Sequence, residues 1–116
     1  MDATKIQAFG DELYNAMVNR EAIAPLTGRG EEISIDDAYH ISLRMLERRQ
    51  AAGARVIGKK IGVTSKSVME MLNVHQPDFG YLTDDMVYND GEVVPISDRL
   101  IAPRAEGEVA FVLKRD

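Results

Sequence analysis

Residues 55–63 have the sequence RVIGKKIGV, and this stretch decides the fold. Its β-branched residues lie between glycines, a composition typical of a strand, so we predict a strand over residues 55–63. Gly58 and Gly62 would allow a bulge or the close approach of another backbone. Thr64 or Ser65 is suited to cap a short helix immediately afterwards. The predicted order at the centre of the chain is therefore strand, turn, helix.

Two helices are predicted upstream of this strand. From Thr4 onward apolar side chains recur at the spacing of an amphipathic helix. They are Ile6, Phe9, Leu13, Ala16 and Met17. Residues 24–30 contain a proline and two glycines, which predicts a loop between the helices. Ser34, followed three residues later by Asp37, is typical of a capped helix start, and Gly53 is the expected end of that second helix.

Downstream of the strand the pattern favours short β elements. Residues 74–82 have no sustained period and contain a proline, so we predict a loop or a short edge segment there. Asp90 and Gly91 predict a hairpin turn between short strands at residues 86–88 and 92–96. Residues 105–113 are predicted to form a strand, and its apolar faces would need sheet partners.

Composition restricts the classes of function. With 45% apolar and 28% charged residues, the chain is expected to fold as a globular protein. Its net charge of −5 gives no basic surface for nucleic acid or an anionic membrane. It contains no cysteine, which excludes disulfides, thiolate metal sites and a cysteine nucleophile. The first twenty residues lack the apolar run of a signal peptide, so a cytoplasmic location is expected.

Glu106 and Glu108 are the candidate metal ligands. In a strand, alternate side chains share a face, with Cα atoms roughly 6.5 to 7 Å apart, so both carboxylates could bind one hard divalent cation. The alternative is a pair of solvated charges, or charges that keep an edge strand from aggregating. The spacing alone favours this alternative, since a Glu-x-Glu pattern is weak.

Lys60 and Asp78 are the other candidates. Lys60 lies within an apolar strand, where it could bind a substrate carboxylate or extend its ammonium group to water. Asp78 follows Pro77 and could act as a general acid or base, although aspartate after proline is also common in turns. Both interpretations stay open from the residues alone. His40 and His75 have no histidine partner nearby and are assigned structural roles.

Three stretches, taken together and in order, resemble the bacterial 2-hydroxypenta-2,4-dienoate hydratases. They are VIGKKIGVTS at residues 56–65, HQPDFGYL at residues 75–82 and PRAEGEVA at residues 103–110. These hydratases are related to the 4-oxalocrotonate decarboxylases within the fumarylacetoacetate hydrolase superfamily. The sequence QPDFG in the second stretch is more similar to the hydratase branch.

The resemblance implies a hydro-lyase that adds water to 2-hydroxypenta-2,4-dienoate, giving 4-hydroxy-2-oxopentanoate in the breakdown of aromatic compounds. It implies Mg²⁺ or Mn²⁺ as cofactor, with Glu106 and Glu108 as metal ligands. Lys60 would assist the substrate or the proton transfers, and Asp78 would act as acid or base. These roles come from family analogy, not from spacing.

The resemblance also implies a fold and an extent. We expect an α+β arrangement, with residues 1–54 as a helical region and residues 55–116 as the start of a β-rich catalytic region. Family members continue into a further β-rich portion that supplies another carboxylate ligand. The chain is accordingly expected to be a truncated piece, poorly active alone. A homo-oligomer and a complex with the decarboxylase are the expected assemblies. The alternative functions are 4-oxalocrotonate decarboxylase and a non-catalytic association domain.

Overall fold

A computed structural model describes residues 1–96 and 100–114, and it has the predicted α+β architecture. Helix α1 spans Ala3–Asn19 and helix α2 spans Ile35–Ala51. Strand β1 spans Val56–Gly62, helix α3 Lys66–Leu72 and strand β2 Asp78–Thr83, followed by a 3-10 turn at Asp84–Met86. The two predicted helices, the central strand and the short helix after it are confirmed.

Helices α1 and α2 pack closely because Gly10 of α1, which has no side chain, lies at their contact. A Cβ on Gly10 would come within 2.5 Å of Arg44 Cβ and within 2.9 Å of the Ile41 carbonyl oxygen. Ile41, at 2% exposure, is the centre of this small apolar contact. At its edge Asp11 forms ion pairs with Arg44 and Arg48, both at 2.9 Å. The hydrogen bonds from Arg44 lower the pKa of Asp11.

Side-chain caps begin the helices where the sequence predicts. The Ser34 hydroxyl accepts a hydrogen bond from the Asp37 amide at 3.1 Å, and the Asp37 carboxylate accepts one from the Ser34 amide at 3.0 Å. This reciprocal capping box satisfies two amides that the helix itself leaves without partners. The Ser65 hydroxyl caps α3 by accepting from the Val68 amide at 3.3 Å. Of the two candidate caps for that helix, Ser65 is therefore the cap.

Strands β1 and β2 form an antiparallel pair, so of the two alternatives for residues 74–82 the structure has the short edge segment, at Asp78–Thr83. Asp78 faces Gly62 in the pairing and Gly80 faces Lys60, with an irregularity between Val56 and Gly58. Pro77 precedes the strand, so the missing amide of proline costs the ladder nothing. A six-residue strand with a central glycine has a weak local signal, and its pairing partner lies far away in sequence.

Three further strand predictions, at residues 86–88, 92–96 and 105–113, are wrong for this chain. The described part of residues 86–96 contains no strand, although the Glu92 amide does close a turn onto the Asn89 carbonyl at 3.0 Å. Residues 105–113 also form no strand, and Phe111 and Val112 are 86% and 97% exposed. A strand requires a neighbour to accept and donate its backbone hydrogen bonds, and residues 105–113 have no such neighbour among the described residues.

A polar cluster around the buried Thr83 joins α2 to the end of β2. Thr83 is 0% exposed, and its hydroxyl accepts a hydrogen bond from Arg49 Nη2 at 2.6 Å. The same hydroxyl donates to Asp85 at 2.5 Å, and Arg49 also binds Asp85 at 2.8 Å. These bonds lower the pKa of Asp85, the largest cause being the bond from Thr83. Nearby, the Asp84 amide donates to the Arg55 carbonyl at 2.9 Å, which ties the start of β1 to the same corner.

No helix within residues 1–96 and 100–114 is long and apolar enough to cross a membrane.

Replacement of Thr83 tests this polar cluster. We expect Thr83→Val to lower the free energy of unfolding by about 1 to 3 kcal/mol, because a buried donor on Arg49 and an acceptor on Asp85 lose their shared partner. Urea denaturation measures this change. Thr83→Ser, which keeps the hydroxyl, is the control and should retain more of the stability. Equal midpoints for wild type and Thr83→Val would show that the hydroxyl contributes nothing.

Acid titration tests the capping box. Bonds to Asp37 from the Ser34 hydroxyl, then from the Met1 ammonium group and the Ser34 amide, lower the pKa of its carboxyl from 3.8 to about 2. The folded state therefore gains stability from Asp37 above pH 3.8, and this gain is lost as the pH falls through about 2. In Asp37→Asn, urea midpoints measured between these values should depend less on pH. Asp36→Asn removes a neighbouring charge without touching the box, so it should keep the wild-type dependence.

Candidate active site

The sheet brings Lys60 and Asp78 together. Lys60 and Gly62 lie two residues apart on β1, and Asp78 faces Gly62 across the pair, so all three are on the same face. The Lys60 Nζ atom is 3.9 Å from the Asp78 Oδ1 atom. Both side chains are more than half exposed, at 54% and 57%. Two of the predicted site residues are thus neighbours, in reach of solvent and of any small molecule.

Lys59 lies on the opposite face of the sheet. It pairs with Tyr81, and its Nζ atom is 5.8 Å from the centre of the Tyr81 ring. The alternation of a strand therefore separates the two adjacent lysines, as expected for residues one apart. Both side chains still reach water. Lys60, and not Lys59, is therefore the lysine that lies beside Asp78, the residue predicted to act as acid or base.

Lys60 and Asp78 lie at the edge of a cavity of about 800 Å³. Leu72 of α3 and Val74 of the loop after it contribute apolar side chains to the lining. Tyr39 of α2 and Phe79 of β2 form an aromatic wall of the same cavity. The volume is in the range of small-molecule sites, and an apolar lining with a few charged groups at one end is typical of them.

Tyr39 and Phe79 hold this wall in place by stacking. Their ring centres are 4.7 Å apart and the planes are 17° from parallel. Phe79 also meets Tyr81 edge to face at 6.0 Å. Sequence reasoning missed Tyr39 and Phe79 as lining residues. The sequence did offer one signal. Because side chains alternate along a strand, Phe79 points to the face opposite to Asp78, and that face packs against α2.

His75 also lines the cavity, whereas His40 lies exposed on α2 and is not among the lining residues. His75 thus lies closer to the candidate chemistry than its predicted structural role suggests.

Glu106 and Glu108 are not brought into the cavity lining. Both are exposed, in a segment that forms no strand, so the shared face predicted for them has no strand to define it. Within the described ranges, no three residues of the types His, Cys, Asp and Glu are grouped closely enough to hold a metal ion. Their role as metal ligands stays a prediction.

The sequence relatives of this chain have names that agree with one another. It is 73% identical over 116 residues to a 2-hydroxypent-2,4-dienoate hydratase of Pseudomonas putida, an alignment that covers 100% of this chain and 52% of the relative. It is 58% identical to a 2-hydroxyhexa-2,4-dienoate hydratase of Comamonas testosteroni, over 99% of this chain and 44% of the relative. Both alignments extend over nearly the whole of this chain.

The chain is similar over its whole length to hydratases of 2-hydroxydienoates. Solved structures agree: a 4-oxalocrotonate decarboxylase of Pseudomonas putida G7, complexed with calcium and acetate, has a TM-score of 0.82 and 31% identity to this chain. That match covers 87% of this chain and 39% of the decarboxylase. The same decarboxylase complexed with magnesium and adipate has a TM-score of 0.70 at 28% identity. No protein-family model matches.

The chain spans about half the length of the curated relatives it matches, 52% and 44% for the two hydratases above. The family resemblance seen in the three sequence stretches is confirmed. The activities for which these relatives are named therefore belong to chains about twice as long as this one.

Proposed function

We propose that the protein carrying this chain is a hydro-lyase that adds water to 2-hydroxypenta-2,4-dienoate and gives 4-hydroxy-2-oxopentanoate. The observation that carries the proposal is the 73% identity, over every residue of the chain, to a 2-hydroxypent-2,4-dienoate hydratase. The geometry supports it, because a lysine and a carboxylate meet at the edge of an apolar cavity of about 800 Å³. A small, flat, anionic substrate matches such a site.

Lys60 and Asp78 would have different roles, the first in substrate binding and the second in proton transfer. The Lys60 ammonium group would bind the substrate carboxylate, since it reaches the cavity with its charge only loosely held by Asp78 at 3.9 Å. Addition of water places a proton on one carbon and a hydroxyl group on another, so an acid or base is needed to pass the proton. Asp78 would take that part. Tyr39 and Phe79, which also line the cavity, would add apolar contact area for the diene.

Glu106 and Glu108 would hold Mg²⁺ or Mn²⁺. Their chemistry fits, because carboxylate oxygens are the ligands that hard divalent cations prefer, and neither is held by a cation elsewhere in residues 1–96 and 100–114. Two carboxylates leave most of the coordination to other groups. A bound divalent cation would supply stabilisation of negative charge on the substrate oxygens. The decarboxylase structures complexed with magnesium and with calcium support a divalent metal in this family.

The assembly and setting are part of the same proposal. Residues 1–54 would form a helical region and residues 55–116 the start of the catalytic region. The exposed apolar side chains at residues 109–113 favour association, and a second copy or a decarboxylase partner would bury them. The absence of cysteine supports a reducing, cytoplasmic site of action.

A 4-oxalocrotonate decarboxylase is the second candidate function. The observation that favours it is the TM-score of 0.82 to a decarboxylase structure. The identity to that structure is 31%, against 73% to the hydratase, so hydration is the better supported reaction. Release of carbon dioxide from 4-oxalocrotonate distinguishes the two. A non-catalytic association domain is the third candidate, and it requires neither metal nor Glu106.

An absorbance assay tests the hydratase proposal. The protein used is the complete product of the reading frame that encodes residues 1–116. We expect ultraviolet loss of 2-hydroxypenta-2,4-dienoate in the presence of Mg²⁺, abolished by a chelator because the metal stabilises the developing charge. Glu106→Gln and Glu108→Gln should weaken metal binding in calorimetry, whereas Glu32→Gln, an exposed control, should not. Folded protein that leaves the diene intact but releases carbon dioxide from 4-oxalocrotonate would replace the hydratase with the decarboxylase.

The adjacent lysines provide a matched test of the cavity. We expect Lys60→Ala to lower kcat/KM by roughly 100-fold and Asp78→Asn to lower kcat by about 100- to 10,000-fold, in line with the loss of a charged substrate contact and of a proton-transfer group. Lys59→Ala, one residue away on the other face, should stay within about twofold because it loses only an exposed contact. Steady-state kinetics measures all three. Equal losses for the two lysine variants would remove Lys60 from the site.

A further inference from the structure

Gly62 occupies the point at which Lys60 and Asp78 meet. A Cβ built on Gly62 would lie 2.6 Å from Asp78 Oδ1 and 2.8 Å from Lys60 Nζ. Both distances are shorter than any ordinary contact of a carbon atom with oxygen or nitrogen. The space that a side chain would fill at position 62 is therefore occupied by the two groups assigned to the chemistry.

The register of the sheet explains this position. Lys60 precedes Gly62 by two residues on the same face of β1, and Asp78 faces Gly62 on β2. The lysine side chain bends over its own strand toward Asp78, and its stem passes over Gly80. A Cβ on Gly80 would lie 3.4 Å from Lys60 Cδ and 3.5 Å from Lys60 Cγ. Gly62 and Gly80, diagonal neighbours on this face of the sheet, thus form the floor beneath the Lys60–Asp78 pair.

Backbone conformation does not account for Gly62. The glycines with positive φ are Gly28, Gly30, Gly53 and Gly91, and Gly62 is not among them. The strand irregularity lies at the other end of β1, between Val56 and Gly58. An alanine could therefore adopt the backbone at position 62, and the conflict concerns only the space above it.

We propose that Gly62 is a positioning residue, whose missing side chain lets the Lys60 ammonium group and the Asp78 carboxylate reach the same point. A methyl group there would push both groups aside. The atoms in its way are the ends of side chains and not backbone, so the fold would survive while the site changes. The consequence for catalysis rests on the proposed hydratase function, whereas the consequence for the position of the pair does not.

Three alanine variants compare the effect of an added methyl group at three positions along the sheet. Gly62→Ala meets the functional ends of both side chains. Gly80→Ala meets only the stem of Lys60. Gly58→Ala is the matched control on the same strand, since its Cβ would find Leu82 Cδ1 at 3.8 Å, an ordinary contact. All three exchange glycine for alanine in a sheet, so their general effects on the unfolded chain are alike.

Carbon-13 NMR of the complete gene product tests the positioning. We expect Gly62→Ala to shift the signals of Asp78 Cγ and Lys60 Cε, with a smaller effect in Gly80→Ala and none in Gly58→Ala. Thermal unfolding should show that all three variants stay folded. Unchanged signals in Gly62→Ala, or equal shifts in Gly58→Ala, would overturn the proposal. The spectra need no substrate, so they give this answer even if the protein proves not to be a hydratase.

Kinetics then tests the catalytic consequence. We expect Gly62→Ala to lower kcat by about 10- to 100-fold, since a displacement of about 1 Å can cost this much, while Gly58→Ala keeps the wild-type rate. Combined with Asp78→Asn, Gly62→Ala should lower kcat by no more than about threefold further, because the Asp78 carboxylate, the displaced group that transfers the proton, is already gone. Independent, multiplying losses in the double variant would contradict a role through Asp78.

Discussion

The Arg49 guanidinium group, bonded to the buried Thr83 hydroxyl and to Asp85, sets the position of the sheet against α2. A second contact, the stacking of Tyr39 on Phe79, lies ten residues earlier on the helix and four residues earlier on the strand. The helix rises about 15 Å over ten residues, and the strand about 13 Å over four. Because these lengths match, the two contacts hold β2 along α2. The cavity and Asp78 lie at the aromatic end of that contact.

Local patterns predicted what local interactions determine. The Ser34–Asp37 capping box and the Ser65 cap need only neighbours in sequence, and residues 55–63 have a strong local strand composition. Strand β2 was left open between a loop and a short edge segment, because a six-residue segment after a proline has little pattern of its own. For residues 105–113 the error is the reverse: the sequence predicts a strand, but no described segment pairs with it.

The residues of the candidate site could be predicted from the sequence, but the contact between them could not. Lys60 and Asp78 were selected from the sequence, and the register of the sheet brings them within 3.9 Å. Their meeting depends on the pairing of two strands, which no local pattern contains. An exposed ion pair of this kind contributes about 0 to 1 kcal/mol, so stability gives little reason to keep the two charges together. Glu106 and Glu108 were selected by a strand alternation that the described segment does not adopt.

The exposed segment at residues 109–113 has a consequence for how residues 1–116 would behave as an isolated polypeptide. Its sequence VAFVL contains no charge and no proline, and Phe111 and Val112 are almost wholly in contact with water. Five such residues are enough to nucleate intermolecular β-sheet, and the charges of Glu108 and Lys114 on either side act as gatekeepers against it. Solubility of the chain should therefore fall as salt screens those two charges, which light scattering at rising ionic strength would detect.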